Sequence, residues 1–486
     1  MTRINFTPNR FSIKELKNKF SSDFDSFFSY MNKTIKFKHE FSYSGYKRHA
    51  GTDCTLLFTL CFYKLLSFGG SVSGFFNFLF TSNRSVSSDS FYRFQNNGKI
   101  NWRKIQFKLV KKLLGHAVTS EDDLYTYLII DDSLIAKSGR RIEGVSKVHD
   151  HTSGTWRQGY KFLGLSVLRG KFSTIVDFSL VSEGKKKIKA ACRLQLSQRF
   201  YELTHDKITL ACQLLGRAVS GGIKADYVLF DSWFFCRSLA NKITGSRQKM
   251  HYVGGIKDGT RLFNYDTGKY TIGQLRKLLM NKDGSKRCKS LNSYYIEAVC
   301  ELNGVGEVKI FFSRFSKTKK WVMIITSDID LSYIQAIKIY SKRWSIEINF
   351  KDLKQYLGIA RCQSNTFNAQ IAHMSTACML HAMLSLYKNN SDVSTFGVLF
   401  KNQRERINDI ATVDYYWGQI EEVILWIAEI IGGADKVTVD ELFKSAEYLG
   451  IKEIINCEVQ LNLKFGTQIN VLKEQQILAS TLRDQA

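Results

Sequence analysis

The chain has 486 residues, 44% of them hydrophobic and 23% charged, which supports a sizeable core and excludes wholesale disorder. Lysine and arginine number 70 against 44 acidic residues, a net charge of +26 that favours a polyanionic partner, nucleic acid before an anionic membrane surface. The ten cysteines are scattered with none of the usual zinc spacings, and the opening MTRINFTPNRFSIKELKNKF has no apolar core behind its charges, so a reducing cytoplasm is expected rather than secretion or a disulfide framework.

Residues 1 to about 120 read as a helical, basic region suited to DNA binding, with KIQFKLVKKLLG (104–115) spaced as a helix. Within it, the apolar run 55–81 is interrupted by Lys64 and by Gly69-Gly70, which predicts two short buried helices and no membrane span. The texture then changes to strands: YTYLIID (125–131), YKFLGLSVLR (160–169) and FSTIVDFSLV (172–181), with Gly170-Lys171 as a tight turn between the last two. A helical stretch (188–219), the strand ADYVLFD (225–231), a short helix and the strand HYVGGIK (251–257) follow. Hairpin-joined strands followed by helix-joined strands predict a mixed α/β sheet. From about 260 to 330 the chain is β-rich again, with Asn303-Gly304 as a hairpin dipeptide and KWVMIITSD as a further strand. Helices return after 331. The tail 386–486 is less basic, and QIEEVILWIAEIIGG (419–433) places isoleucines and Val423 at near-heptad spacing, either for its own core or for a partner helix.

Two strand ends echo each other. Tyr127-Leu128-Ile129-Ile130-Asp131 and Tyr227-Val228-Leu229-Phe230-Asp231 share one pattern, a tyrosine, three apolar residues and an aspartate. Buried parallel strands read as continuous apolar runs, and functional groups of open α/β sheets gather at their carboxyl ends. A third element is YSKRWSIEINFKDLK, in which Tyr340, Arg343, Glu347 and Lys354 fall within a stripe about 60° wide at ~100° per residue. An acid, two cations and a phenol make a poor core face and a good face for a metal ion and phosphates; a solvated face with an Arg343–Glu347 pair is the plainer alternative. His149-Asp150-His151 matches no standard metal spacing and reads as a loop. No phosphate-binding G-x-x-x-x-G-K-[ST] loop occurs, which argues against ATP use.

The pattern Y-x2-R-x3-E-x6-K, preceded by the two strand-end aspartates, resembles the signature of bacterial insertion-sequence transposases of family four, members of the DDE superfamily; LIIDDS and LFDSWF look like motifs of the same family. The resemblance covers about 125–385. It implies a ribonuclease-H-like mixed sheet with an inserted β-rich subdomain at about 260–330, within a catalytic domain spanning 121–385. A helical DNA-binding region (1–120) and a helical C-terminal region (386–486), a candidate for dimerisation, flank it. By the same resemblance Asp131, Asp231 and Glu347 are the catalytic, metal-binding acids. Asp132 competes for the first role, and Asp131 is preferred because it follows the apolar run directly, as Asp231 does. Tyr340, Arg343 and Lys354 resemble the family's phosphate contacts; Arg140 and Arg141, in a loop after the first aspartate, are further DNA contacts. Three carboxylates suit two Mg²⁺ ions, with Mn²⁺ as a substitute. A hairpin route needs an aromatic against a displaced base, for which Trp344, Trp321 and Trp233 are candidates beside their plainer role in packing. The implied activity is cut-and-paste transposition, with metal-dependent cleavage at transposon ends and transfer of 3′-hydroxyls into target DNA. The implied partners are double-stranded DNA and a second copy of the chain, and the implied place is the bacterial cytoplasm at the nucleoid. Another nuclease on the same core, or a silent DNA-binding repressor, are the alternatives.

Overall fold

A computed structural model describes residues 36–43, 54–66, 72–79, 87–119, 124–139, 141–150, 153–182, 198–315, 320–389 and 393–404. Packing separates two units, one built around Gln95–Leu399 and one containing Leu56–Phe94. Helix α1 (Phe37–Tyr43) belongs to the first. The second contains most of α2 (Cys54–Leu66), α3 (Val72–Leu79) and most of α4 (Ser88–Gln95). Its aromatic side chains interlock: Phe58 lies 4.5 Å from Phe62, and Phe76 meets Phe91 edge-on at 5.4 Å. Glycine and serine between α2 and α3 divide the apolar run as expected. No helix among the described residues is long and apolar enough to cross a membrane.

The first unit is organised by one sheet of 12 strands, ordered β2-β3-β1-β5-β6-β12-β11-β10-β7-β8, with β4 on β3 and β9 on β10. Helix α5 (Trp102–Leu114) precedes it, capped by the Asn101 side chain. Strands β1 (Thr126–Ala136), β2 (Ser146–Asp150) and β4 (Phe172–Val181) each pair antiparallel with β3 (Thr155–Arg169). Gly170, at φ +57°, supplies the left-handed turn between β3 and β4; a Cβ there would also lie 2.2 Å from the Val118 carbonyl. Helix α6 (Lys207–Ser220) carries the chain to β5 (Tyr227–Phe230), parallel to β1. Helix α7 (Arg237–Thr244) leads to β6 (His251–Gly255), parallel to β5. Three antiparallel strands followed by two parallel ones reached through helices is the ribonuclease-H-like order.

The inserted segment holds β7 (Leu262–Tyr265), β8 (Gly268–Thr271), helix α8 (Ile272–Asp283), β9 (Lys286–Cys288), β10 (Ser293–Leu302), β11 (Gly306–Arg314) and β12 (Val322–Thr326). This is the β-rich insertion expected from the sequence; β12 pairs antiparallel with β6, with Ile324 opposite Gly255, so the insertion also continues the main sheet. The last helices are α9 (Tyr333–Ser341), α10 (Ser345–Gln355) and α11 (Phe367–Asn389). α10 and α11 both pack on β4, and α11 also packs on α5.

Three expectations change. The helical stretch 188–219 is, where described, a 3₁₀ turn (Gln198–Thr204) and then α6, because Asp206 caps a new helix by accepting from the Thr209 N–H. Lys147, His149 and Asp150, expected in a loop, form β2; only Val148 of that strand is buried, so its sequence carries little alternation. The run 340–354 is not one regular helix, since a 3₁₀ turn (Lys342–Trp344) joins α9 to α10. The tail segment 419–433 and Arg140 lie outside the described residues.

Candidate active site

β1 and β5 are parallel neighbours whose pairing ends at Ile130 and Phe230, so Asp131 and Asp231 follow side by side, about one strand spacing (~4.8 Å) apart; Asp231 lies just past the end of β5 as expected, but Asp131 is not at a strand end, because β1 continues to Ala136 against β3. Successive strand residues point to opposite faces, which separates Asp131 from Asp132. Asp131 pairs with Gly164, where an added Cβ would lie 3.0 Å from Phe350 of α10; the Asp131 face is therefore the face α10 covers. Asp132 faces the other way, 3.3 Å from Lys161 of β3 and 3.5 Å from Lys207 of α6.

The stripe of the signature survives the 3₁₀ turn. Arg343 donates through Nη2 to Glu347 Oε1 at 2.8 Å and through Nη1 to Asp131 Oδ2 at 3.2 Å, so one guanidinium joins the acid of α10 to the acid of β1. Tyr340 is half-buried, and its hydroxyl is pushed up in pKa by desolvation, with Asp231 and Asp131 adding to the effect against the positive charge of Arg343. Lys354 donates to Ser133 Oγ at 2.6 Å, two residues along the same face of β1 as Asp131. Burial first, then Asp132 and Asp231, push the Asp131 carboxyl up to about 7, against the Asp132 N–H and Arg343, which favour its charge. Asp231 accepts from the Trp233 N–H at 2.9 Å, which fixes the start of the loop after β5.

Asp131, Asp231 and Lys354 line a cleft of about 710 Å³ together with Asp132, Lys161, Lys207, Trp233 and Lys257. Trp344 and Arg141 are exposed and do not line it. Lys161 and Lys207 were missed from sequence. Lys161 left a trace, as a lone cation in the apolar run YKFLGLSVL, and it is 3% exposed. Lys207 left none, since a lysine at the start of a helix is ordinary.

Behind the site, α10 is anchored by polar contacts. Asn349 donates to Ser166 Oγ at 2.7 Å and Ser173 Oγ at 2.9 Å, while Asp352 lies 3.8 Å from His381 of α11, which contacts Thr174 Oγ1 at 3.1 Å. These contacts set the rotation of the helix that presents Glu347.

The residues fit a hard divalent cation in part. Two carboxylates stand side by side where the β1–β5 pairing ends, and a half-buried cluster of acids is a setting in which a cation would be accommodated. Among the described residues, however, no three acidic, histidine or cysteine side chains approach closely enough to form one ligand set. Arg343 stands between Asp131 and Glu347, so Glu347 fits such a set only with the guanidinium displaced.

Residues 79–284 match the family model described as "DDE superfamily endonuclease". Among solved structures the chain is similar to a piggyBac transposase in a synaptic complex with hairpin DNA, with 13% identity, a TM-score of 0.43, and coverage of 84% of this chain and 82% of that one. None of the curated proteins matches it. Residues 79–284, which carry Asp131 and Asp231 on β1 and after β5, are thus similar to a DDE superfamily endonuclease domain.

Proposed function

We propose that the chain is a DDE transposase acting by cut and paste: it cleaves DNA at transposon ends and transfers the freed 3′-hydroxyls into target DNA. The observation that carries this reading is the placing of Asp131 and Asp231 side by side just past the last paired residues of β1 and β5, with Arg343 tying Glu347 to the first of them. Asp131, Asp231 and Glu347 would hold Mg²⁺, or Mn²⁺ in its place. Bound there, divalent ions activate a water or 3′-hydroxyl and stabilise the leaving oxygen of an in-line displacement at phosphorus. Arg343 supplies a planar fork for two phosphate oxygens, and Lys354, held by Ser133, supplies a point charge. Tyr340, whose hydroxyl feels the charges of Arg343 and of both aspartates, is a further phosphate contact on this reading. The 1–120 and 386–486 regions are proposed to recognise ends and to dimerise.

The test is a plasmid carrying the DNA that flanks the gene on both sides, incubated with the full chain in Mg²⁺, Mn²⁺ or EDTA. Metal-dependent cleavage followed by joining of 3′ ends is the expected result. Cleavage without joining points to another nuclease. Absence of cleavage, or cleavage undiminished in Asp231→Asn, overturns the proposal.

A further inference from the structure

Asp132 differs from Asp131 in what it touches. It lies between two ammonium groups, Lys161 at 3.3 Å and Lys207 at 3.5 Å, on the face of β1 away from Glu347. One carboxylate cannot neutralise two lysines. Lys161 is buried, its side chain 4% exposed, and it also donates to the His149 carbonyl at 3.3 Å, so it is fixed inside the fold. Lys207 has more solvent access, and its ammonium sits 3.9 Å over the ring of Trp233, itself 46% exposed in the same cleft. Lys207 therefore presents its ammonium to the cleft, held there by Asp132 on one side and the indole on another.

We propose that Lys207 is a DNA-phosphate-binding residue and that Asp132 is its positioning residue, not a metal ligand. This rests on the nuclease reading of the cleft. A ligand bound there meets cations from both faces of β1: Lys354 on the Asp131 side, Lys207 on the Asp132 side. The ligand is the sugar-phosphate backbone, because an ammonium is a point charge that reads no base. A strand laid along the cleft then has phosphates gripped on either side of the carboxylate pair, which fixes its path across the metal site.

The experiment measures binding of a double-stranded oligonucleotide by the full chain in EDTA between about 50 and 200 mM salt, for wild type and Lys207→Met. Loss of one phosphate contact reduces the magnitude of the slope of log K against log salt by about 0.9, equally for unrelated sequences. In parallel, Mn²⁺ binding without DNA is followed by electron paramagnetic resonance for Asp131→Asn and Asp132→Asn, with thermal melting to verify folding. Asp132→Asn is expected to retain Mn²⁺ binding within about threefold, where Asp131→Asn loses at least about tenfold. An unchanged slope in Lys207→Met overturns the phosphate role. Mn²⁺ loss in Asp132→Asn equal to that in Asp131→Asn overturns the positioning role. Neither measurement uses cleavage, so a wild-type chain that fails to cut DNA rejects the nuclease reading separately.

Discussion

Tyr127 of β1 and Tyr227 of β5 are parallel register partners whose rings stack, with centroids 6.2 Å apart and planes inclined by 26°. Each is followed by three buried apolar residues and an aspartate. The stacked pair thus marks, at one end of the sheet, the register that delivers Asp131 and Asp231 together at the other. Tyr227 also donates to Asp328 at 2.7 Å, which ties this register to the end of β12.

The carboxylate pair is expected to be indispensable. On the proposed function, Asp131→Asn, Asp231→Asn and Glu347→Gln would each remove a ligand charge worth several kcal/mol to the transition state, which corresponds to a loss of at least about a hundredfold in cleavage rate. DNA binding in EDTA should stay within a few fold. Single-turnover cleavage kinetics and a mobility-shift assay check the two halves; cleavage near the wild-type rate in any of the three removes that residue from the catalytic set.

Arg343 competes with a cation for Asp131 and Glu347. Arg343→Gln is therefore expected to tighten Mn²⁺ binding to the free protein while weakening DNA binding. By linkage, wild-type protein bound to uncleaved DNA should also bind Mn²⁺ more tightly than free protein. Titration by electron paramagnetic resonance with and without DNA decides the matter, and weaker Mn²⁺ binding in the variant would show that Arg343 supports the metal site instead.

Acid should loosen the fold at a buried ion network remote from the cleft. Asp177 of β4 accepts from Arg103 Nε and Arg217 Nε, both at 2.8 Å, and Glu202 accepts from Arg103 at 2.8 and 3.0 Å. Burial works against both charges, but the arginines outweigh it and hold both carboxyls below their ordinary range. An acid with a lowered folded pKa adds stability that is complete above its unfolded value, about 4, and is lost as pH falls through the folded value. Thermal midpoints should therefore decline steeply below about pH 4. Asp177→Asn, which leaves buried arginines unpaired, should cost about 3–5 kcal/mol at neutral pH and flatten that decline. An equally steep acid decline in the variant assigns it to other groups.

Asn349 holds α10 by two hydrogen bonds to β3 and the β4 edge. Asn349→Leu should lower stability by about 1–3 kcal/mol, because it leaves buried hydroxyls short of a partner. It should also lower kcat with little change in KM for DNA, since Glu347 lies on the same helix. A loss of stability with kcat intact would confine Asn349 to folding.

Much of this was determined by sequence alone. The β1–β5 echo is legible because a strand buried on both faces must be apolar throughout and turns polar where that cover ends, which is the end of β5 and partway along β1. The Gly170 turn and the division of the 55–81 run into two helices are legible for the same local reason: backbone freedom and chain breaks act over a few residues. The Y-R-E-K stripe needed only helical spacing, and a single 3₁₀ turn did not scatter it. What tertiary structure decided is pairing at a distance. The alternation of Asp131 and Asp132 follows from any strand, but which face carries α10 and which carries Lys207 depends on how helices far along the chain dock. Likewise β12 closes on β6, so the insertion joins the main sheet, through backbone hydrogen bonds that leave no mark on side-chain pattern. The edge strand β2 escaped notice because it buries a single residue. The guanidinium of Arg343 between two acids, and the two lysines on Asp132, were equally hidden, since ion pairs form wherever the fold brings opposite charges together, at any separation in sequence.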